Sequence, residues 1–326
     1  MPERLAIHAL QSHAPVTTEA IDSFIADHEF PIVEGASVTF VYRGDVDGVV
    51  LRHWIFGLES SQPLQRIPET NLFYVIVELP RDSRVEYKLE LWRGDSSEWI
   101  RDPLNGNLAR DPFGANSVAH ADGYKVPKWT YRDPEARPGR LKRFEIDSAA
   151  LGGKRGGLLY YPARYRTTRR YPLLVVHDGS DYLNFAKMGT VLDNLIHQLA
   201  IPDLLVCFVD SPDRLKEYAA HEPHARFLCE ELVPHLEAKL PLESRPAMRC
   251  LMGASFGAVA ALSTAWYYPK FWGKLLLQSG SFAFTDIGRG NRRGPLFDPV
   301  VSFVNDFRRD IKPISERLFV SCGIYE

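Results

Sequence analysis

One passage limits what this chain can fold into more than any other. Arg249, Cys250, Leu251 and Met252 lead into Gly253, Ala254, Ser255, Phe256 and Gly257, and small residues at helical spacing follow through Ala265 and Trp266. That order reads as strand, tight turn, helix. In a nucleophile elbow a serine sits on a strained turn, and the residues two before and two after it must be small enough for strand and helix to approach. Gly253 and Gly257 meet that demand. The hydroxyl is then presented at the end of a sheet, and the N–H of Phe256 is placed to donate to a developing oxyanion. Five residues alone would also fit a plain turn serine. The strand before and the helix after are the context that selects Ser255 as the candidate nucleophile.

The second half of the chain supplies a matching frame. Leu158 to Tyr161, Leu173 to Val176, Leu204 to Val209, Cys250 to Met252, Leu275 to Gln278 and Leu318 to Val320 are short apolar runs, with helical patterns around Val191 to Leu199, Ala225 to Leu240 and Ser255 to Tyr268. Strands alternating with helices predict a mainly parallel sheet covered on both faces. Ligands of such sheets bind beyond the carboxyl ends of the strands, where Ser255 falls. Residues 1 to about 30 carry a weak helical pattern. From there to about residue 126 the runs Ser37 to Tyr42, Val49 to Phe56, Leu72 to Leu79 and Val85 to Trp92 are rich in β-branched and aromatic residues and separated by turn residues, a β-sandwich signature. Asp102-Pro103 with Asn105, Gly106 and Asn107 reads as turn chemistry. Tyr131 to Arg140 is the linker candidate, so the expected domains are 1–135 and 136–326.

His177, Asp178, Gly179 and Ser180 follow the run ending at Val176 and share the rim with Ser255. A second oxyanion donor is needed there, and the backbone N–H of Gly179 or Ser180 is the candidate. His177, Asp178 and Arg214 are the candidate substrate-binding residues. The alternatives are an Asp-Gly turn with His177 in the core, and Arg214 paired with Glu217. His221 and His224 are expected at the surface, and as a metal pair they lack a third ligand nearby. No metal and no cofactor is expected.

Composition narrows the partners. With 326 residues, 45% hydrophobic, 25% charged and a net charge of -2, the chain has room for two cores and no general attraction to nucleic acid or an anionic membrane. Cys207, Cys229, Cys250 and Cys322 are far apart, and three sit in apolar runs, which predicts reduced thiols. Met1 to Ile21 lacks a basic start followed by an apolar stretch, and no run is long enough to span a bilayer, so a cytoplasmic protein is expected.

His177-Asp178-Gly179, Arg214 with Glu217-Tyr218, Glu230-Glu231-Leu232-Val233-Pro234, Gly253-Ala254-Ser255-Phe256-Gly257 and Gln278-Ser279-Gly280-Ser281 together resemble the esterase D family, and within it the enterochelin (ferric enterobactin) esterase-like branch. The leading β residues, Asp102 to Asn105 and the run Gly139 to Pro162 resemble that branch as well. The resemblance implies an α/β-hydrolase domain preceded by an Ig-like/E-set β-sandwich. It also implies a serine hydrolase that cleaves a small-molecule ester through an acyl-enzyme, a catecholate siderophore ester carrying iron being the leading substrate. Family order runs nucleophile, acid, histidine. Glu326, after the run Leu318 to Val320, is the acid candidate, with a solvated chain end as its alternative.

No histidine follows Glu326, so the resemblance leads to the expectation of a chain cut within the hydrolase domain. A serine without its imidazole keeps roughly 10³ to 10⁴ over water from oxyanion stabilisation and binding. Exposed apolar surface near the last strand is then expected. Two further readings follow: a carbohydrate esterase releasing feruloyl or acetyl groups, and a catalytically silent siderophore-binding protein.

Overall fold

Val38 to Tyr42 is buried at every position, not at every second one, because the strand it belongs to is covered on both faces. One face of β2 (Ser37–Arg43) meets a cluster of Val38, Phe40, Phe73, Leu51, Tyr87 and Leu89, and the other, through Val41, meets Ile7, Ile21 and Phe24. These residues belong to a computed structural model that describes residues 5–12, 15–53, 55, 58–286 and 294–323. Two units divide at Val126 and Pro127.

In the first unit, helices α1 (Ala6–Gln11) and α2 (Thr18–Asp27) precede the strands. Thr17 Oγ1 caps α2 by accepting from the Ala20 N–H at 3.2 Å, satisfying one of the free donors of its first turn. β1 (Ile32–Glu34), β2, β3 (Gly48–His53), β4 (Ser61–Pro63), β5 (Gln65–Arg66), β6 (Leu72–Glu78), β7 (Arg84–Arg93), β8 (Ser96–Ile100), β9 (Leu108–Asp111) and β10 (Gly114–His120) form two antiparallel sheets. Their orders are β1-β2-β6-β5 and β4-β3-β7-β10-β9, with β8 on β7. Apolar side chains of both sheets share one cluster, which is the inside of a sandwich. The Asp102 turn is built into that interior. Tyr87 Oη donates to Asp102 Oδ2 at 2.6 Å, Asp102 N–H donates to Ser117 Oγ at 2.8 Å, and Asn105 Nδ2 donates to the Val118 carbonyl at 2.9 Å. Burial pushes the Asp102 pKa up.

The second unit holds β11 (Arg140–Ser148), β12 (Gly153–Tyr161), β13 (Leu173–His177), α3 (Gly179–Asn184), α4 (Met188–His197), β14 (Leu205–Val209), α5 (Arg214–Glu217), α6 (Glu222–Arg226), α7 (Val233–Lys239), β15 (Arg249–Ala254), α8 (Phe256–Tyr267), β16 (Lys274–Gln278), α9 (Asp298–Arg309) and β17 (Arg317–Ser321). Sheet order is β11-β12-β14-β13-β15-β16-β17. β12 joins β11 and β14 antiparallel, and every later pairing is parallel. β13 therefore has chain-later neighbours on both sides, and the crevice beyond its carboxyl end is the switch point where such sheets bind ligands. Between α6 and α7 the helix widens to a π turn over Phe227–Leu232. Pro234, which has no N–H to give the Glu230 carbonyl, accounts for the widening.

Residues 127–135, placed by sequence in the first domain, pack with the second. Buried Asn194 on α4 donates through Nδ2 to the carbonyls of Trp129 at 2.9 Å and Tyr131 at 2.6 Å. The Pro and Gly residues that suggested a linker instead lead into β11, whose alternation of Leu141, Phe144 and Ile146 with charged residues suits an edge strand. Cys207 and Cys229 are buried, and all four thiols are free. Leu318, Phe319 and Val320 on β17 are each more than half exposed. Among the described residues no helix is long and apolar enough to cross a membrane.

Candidate active site

The turn after β15 has the geometry its sequence demands. Ser255 stands at φ 55° and ψ -120° between strand and helix, a region where a side chain is strained and which therefore persists only under surrounding constraint. The constraint is the close approach of strand to helix: a Cβ on Gly253 would lie 2.3 Å from the Gly257 carbonyl carbon. α8 is buried on nearly every side from Phe256 to Ala265, so the helix that carries the elbow is held in the centre of the unit. Ser255 N–H donates to the Gln278 carbonyl at 3.0 Å. Ser255 itself is only partly buried.

The turn after β13 faces it. Asp178 adopts a left-handed conformation at φ 52°, which aspartate tolerates better than most residues. Gly179 follows because nothing larger fits: an added Cβ would lie 2.5 Å from Phe208 Cβ. Ser180 N–H is taken by Asp210 Oδ1 at 3.0 Å. The N–H groups of Gly179 and Phe256 have no acceptor among the described residues. Two uncommitted amides on adjacent strand ends are what a tetrahedral oxyanion requires. Of the two donors weighed in sequence, Gly179 is the one left free.

The candidate binding residues need correction. His177 is fully buried, with Nδ1 donating to the Met252 carbonyl at 3.0 Å and Nε2 3.1 Å from His224 Nε2. It cannot touch a substrate. Since a carbonyl only accepts, His177 carries its proton on Nδ1, and His224 must donate through Nε2. His224, expected at the surface, is buried under this pair, and its Nδ1 has no partner among the described residues. Asp178 is also engaged, its carboxylate receiving Arg214 Nε at 2.7 Å and Nη2 at 2.8 Å. Arg214 does not pair with Glu217, which instead accepts from Arg155 Nη2 at 2.9 Å and Ser211 Oγ at 2.6 Å. The guanidinium of Arg214 lies over the rings of Tyr218 and Phe256, with Nη1 unpartnered among the described residues. Glu326 lies outside the described residues. No group of three or more potential metal ligands occurs among them.

Two predictions arise here. Asparagine keeps the left-handed backbone at 178 but cannot hold an ion pair, so Asp178→Asn is expected to cost about 2 kcal/mol. Chemical denaturation checks this, and an unchanged midpoint would show that Arg214 anchors the turn without its partner. The second concerns acid. Burial pushes His177 down to about 4 and His224 well below the ordinary histidine value, so the unfolded chain takes up protons near 6.5 that the folded chain refuses. The resulting stability is whole above pH 6.5 and is lost as pH falls toward about 4. Melting temperature is expected to drop between pH 7 and pH 5, and a flat profile there would contradict the neutral pair.

Sequence reasoning missed Tyr182, put His224 at the surface, and gave Ser281 no role. Tyr182 and Ser281 carry no local signal beyond a tyrosine on a short helix and a serine in a turn. Their place beside the elbow depends on which strands are neighbours.

A family described as "Putative esterase" matches residues 148–296. The chain is 28% identical over 148 residues to "Uncharacterized protein YjcH" of Bacillus subtilis, spanning 43% of this chain and 62% of that protein. It is 26% identical over 299 residues to the "Iron(III) enterobactin esterase" of Escherichia coli strain K12, spanning 80% of this chain and 74% of that one. The fold is that of the enterochelin esterase of Shigella flexneri, with a TM-score of 0.70 and 21% identity over 94% of this chain and 85% of the other. An esterase model thus matches the stretch that carries the serine elbow, and over 80% of its length the chain is similar to an enterobactin esterase.

Proposed function

We propose that the protein hydrolyses a small-molecule ester through an acyl-enzyme at Ser255, and that the ester is a catecholate siderophore lactone of the enterobactin kind. The observation that supports the chemistry is the strained Ser255, φ 55°, after β15, with the uncommitted amides of Phe256 and Gly179 at the ends of the neighbouring strands β15 and β13. Ser255 Oγ attacks the ester carbonyl carbon as its proton leaves to a general base. The carbonyl oxygen takes the electron pair and is held by the N–H groups of Phe256 and Gly179. Collapse expels the alcohol, which takes back the proton, and water releases the acid by the same steps in reverse order. His177 does not supply the base, since both its ring nitrogens are committed, to the Met252 carbonyl and to His224 Nε2, and His224 is buried behind it. Glu326 is the acid proposed for this scheme.

Support for the substrate comes from the 299-residue match to an enterobactin esterase. An anionic or carbonyl oxygen on the ligand is supported by Arg214, whose Nη1 has no partner among the described residues and whose guanidinium lies 5.9 Å from the ring centroid of the elbow's own Phe256. Chromatography of a reaction with iron-loaded catecholate trilactone, beside simple aryl esters, tests the reading. Release of the linear acid and hydrolysis of aryl esters are expected. Tight binding with no product from either would overturn hydrolysis and favour a silent binding protein. Aryl ester cleavage without lactone opening would overturn the substrate alone.

A further inference from the structure

Gln278-Ser279-Gly280-Ser281, the motif that follows β16, closes over the elbow. Ser281 N–H donates to the Ser255 carbonyl at 3.2 Å, and Ser281 Oγ lies 2.8 Å from Ser255 Oγ. Ser281 is buried, and its hydroxyl has no other partner among the described residues. The same segment reaches the oxyanion turn. Tyr182 Oη donates to Gln278 Oε1 at 2.5 Å, and Tyr182 N–H donates to the Asp178 carbonyl at 3.1 Å. One strap thus joins the nucleophile to the turn that carries Gly179.

From this geometry we infer that Ser281 is a catalytic residue, donating its hydroxyl proton to Ser255 Oγ. The inference rests on Ser255 being the nucleophile. A serine hydroxyl has one proton to give and two lone pairs to receive with. Ser255 must give its proton to the base, so in the reactive arrangement the 2.8 Å contact can run only from Ser281 to Ser255. That donor fixes the Ser255 rotamer toward the substrate. It also meets negative charge on Oγ twice, as the bond to carbon forms and as Oγ departs when water breaks the acyl-enzyme. A hydrogen bond to an oxygen that gains charge strengthens along the reaction, so its loss is felt in kcat more than in KM.

The test is the second-order rate of phosphonylation by an aryl fluorophosphonate, measured on the full chain with kcat, KM and melting temperature for an aryl ester. Ser281→Ala is expected to react about tenfold more slowly or worse, with KM and melting temperature near those of the parent protein. Ser281→Thr, which returns the hydroxyl, is expected to regain most of the rate. Equal rates for Ser281→Ala and the parent protein overturn the inference and leave Ser255 in place. A loss that Ser281→Thr fails to restore overturns it too, because it reports packing. Labelling that survives Ser255→Ala removes the nucleophile, and the role of Ser281 with it.

Discussion

Ser255→Ala is expected to lower kcat/KM for an aryl ester by roughly 10⁴ to 10⁶, with most of the loss in kcat. The alanine variant keeps the amides of Phe256 and Gly179, so substrate still binds and its carbonyl is still polarised. What disappears is the oxygen that forms the covalent bond. Melting temperature should stay close to that of the parent protein, because among the described residues Ser255 Oγ makes a single hydrogen bond, to Ser281, and alanine carries the same backbone strain at φ 55°. Steady-state kinetics with a matched thermal melt checks both halves. A loss of less than about tenfold would mean that another group performs the attack.

Gly253→Ala is the substitution with the largest expected effect on stability. The added methyl would sit 2.3 Å from both the carbonyl carbon and the carbonyl oxygen of Gly257. Backbone is the obstacle, so no side-chain rotation relieves it. α8 would have to move away from β15, yet α8 is buried from Phe256 to Ala265 and cannot shift without opening the core. Forced overpacking of this kind costs about 3 kcal/mol, which lowers the melting temperature of a unit this size by roughly 6 to 12 °C. Activity should fall with it, because the Phe256 amide moves with the helix. A melting temperature within about 2 °C of the parent would show that strand and helix are further apart than this account requires.

The elbow was legible in sequence because its chemistry is local. Gly253, Ser255 and Gly257 must lie at fixed spacing whatever surrounds them, and an apolar strand and a small-residue helix are visible on either side. The parallel strands were legible for a similar reason: β13 and β14 are buried throughout and read as unbroken apolar runs. The charged edge strand β11 and the short strands of the first unit lack that signal. His177 was misplaced because a histidine after a strand looks the same whether it meets substrate or turns inward. Only the pairing of β13 with β15 brings it to the Met252 carbonyl, and only α6 brings His224 to its other nitrogen. Arg214 went to Asp178, 36 residues away, when sequence offered Glu217 three residues on. In each case the partner is set by which elements the fold makes neighbours, which spacing along the chain does not carry.

The most direct measurement of the central claim is a crystal structure of the protein after reaction with an aryl phosphonate. The account predicts phosphorus bonded to Ser255 Oγ, with the phosphonyl oxygen about 2.7 to 3.1 Å from the backbone nitrogens of Phe256 and Gly179. Phosphorus on any other residue, or a phosphonyl oxygen turned away from both amides, would contradict it.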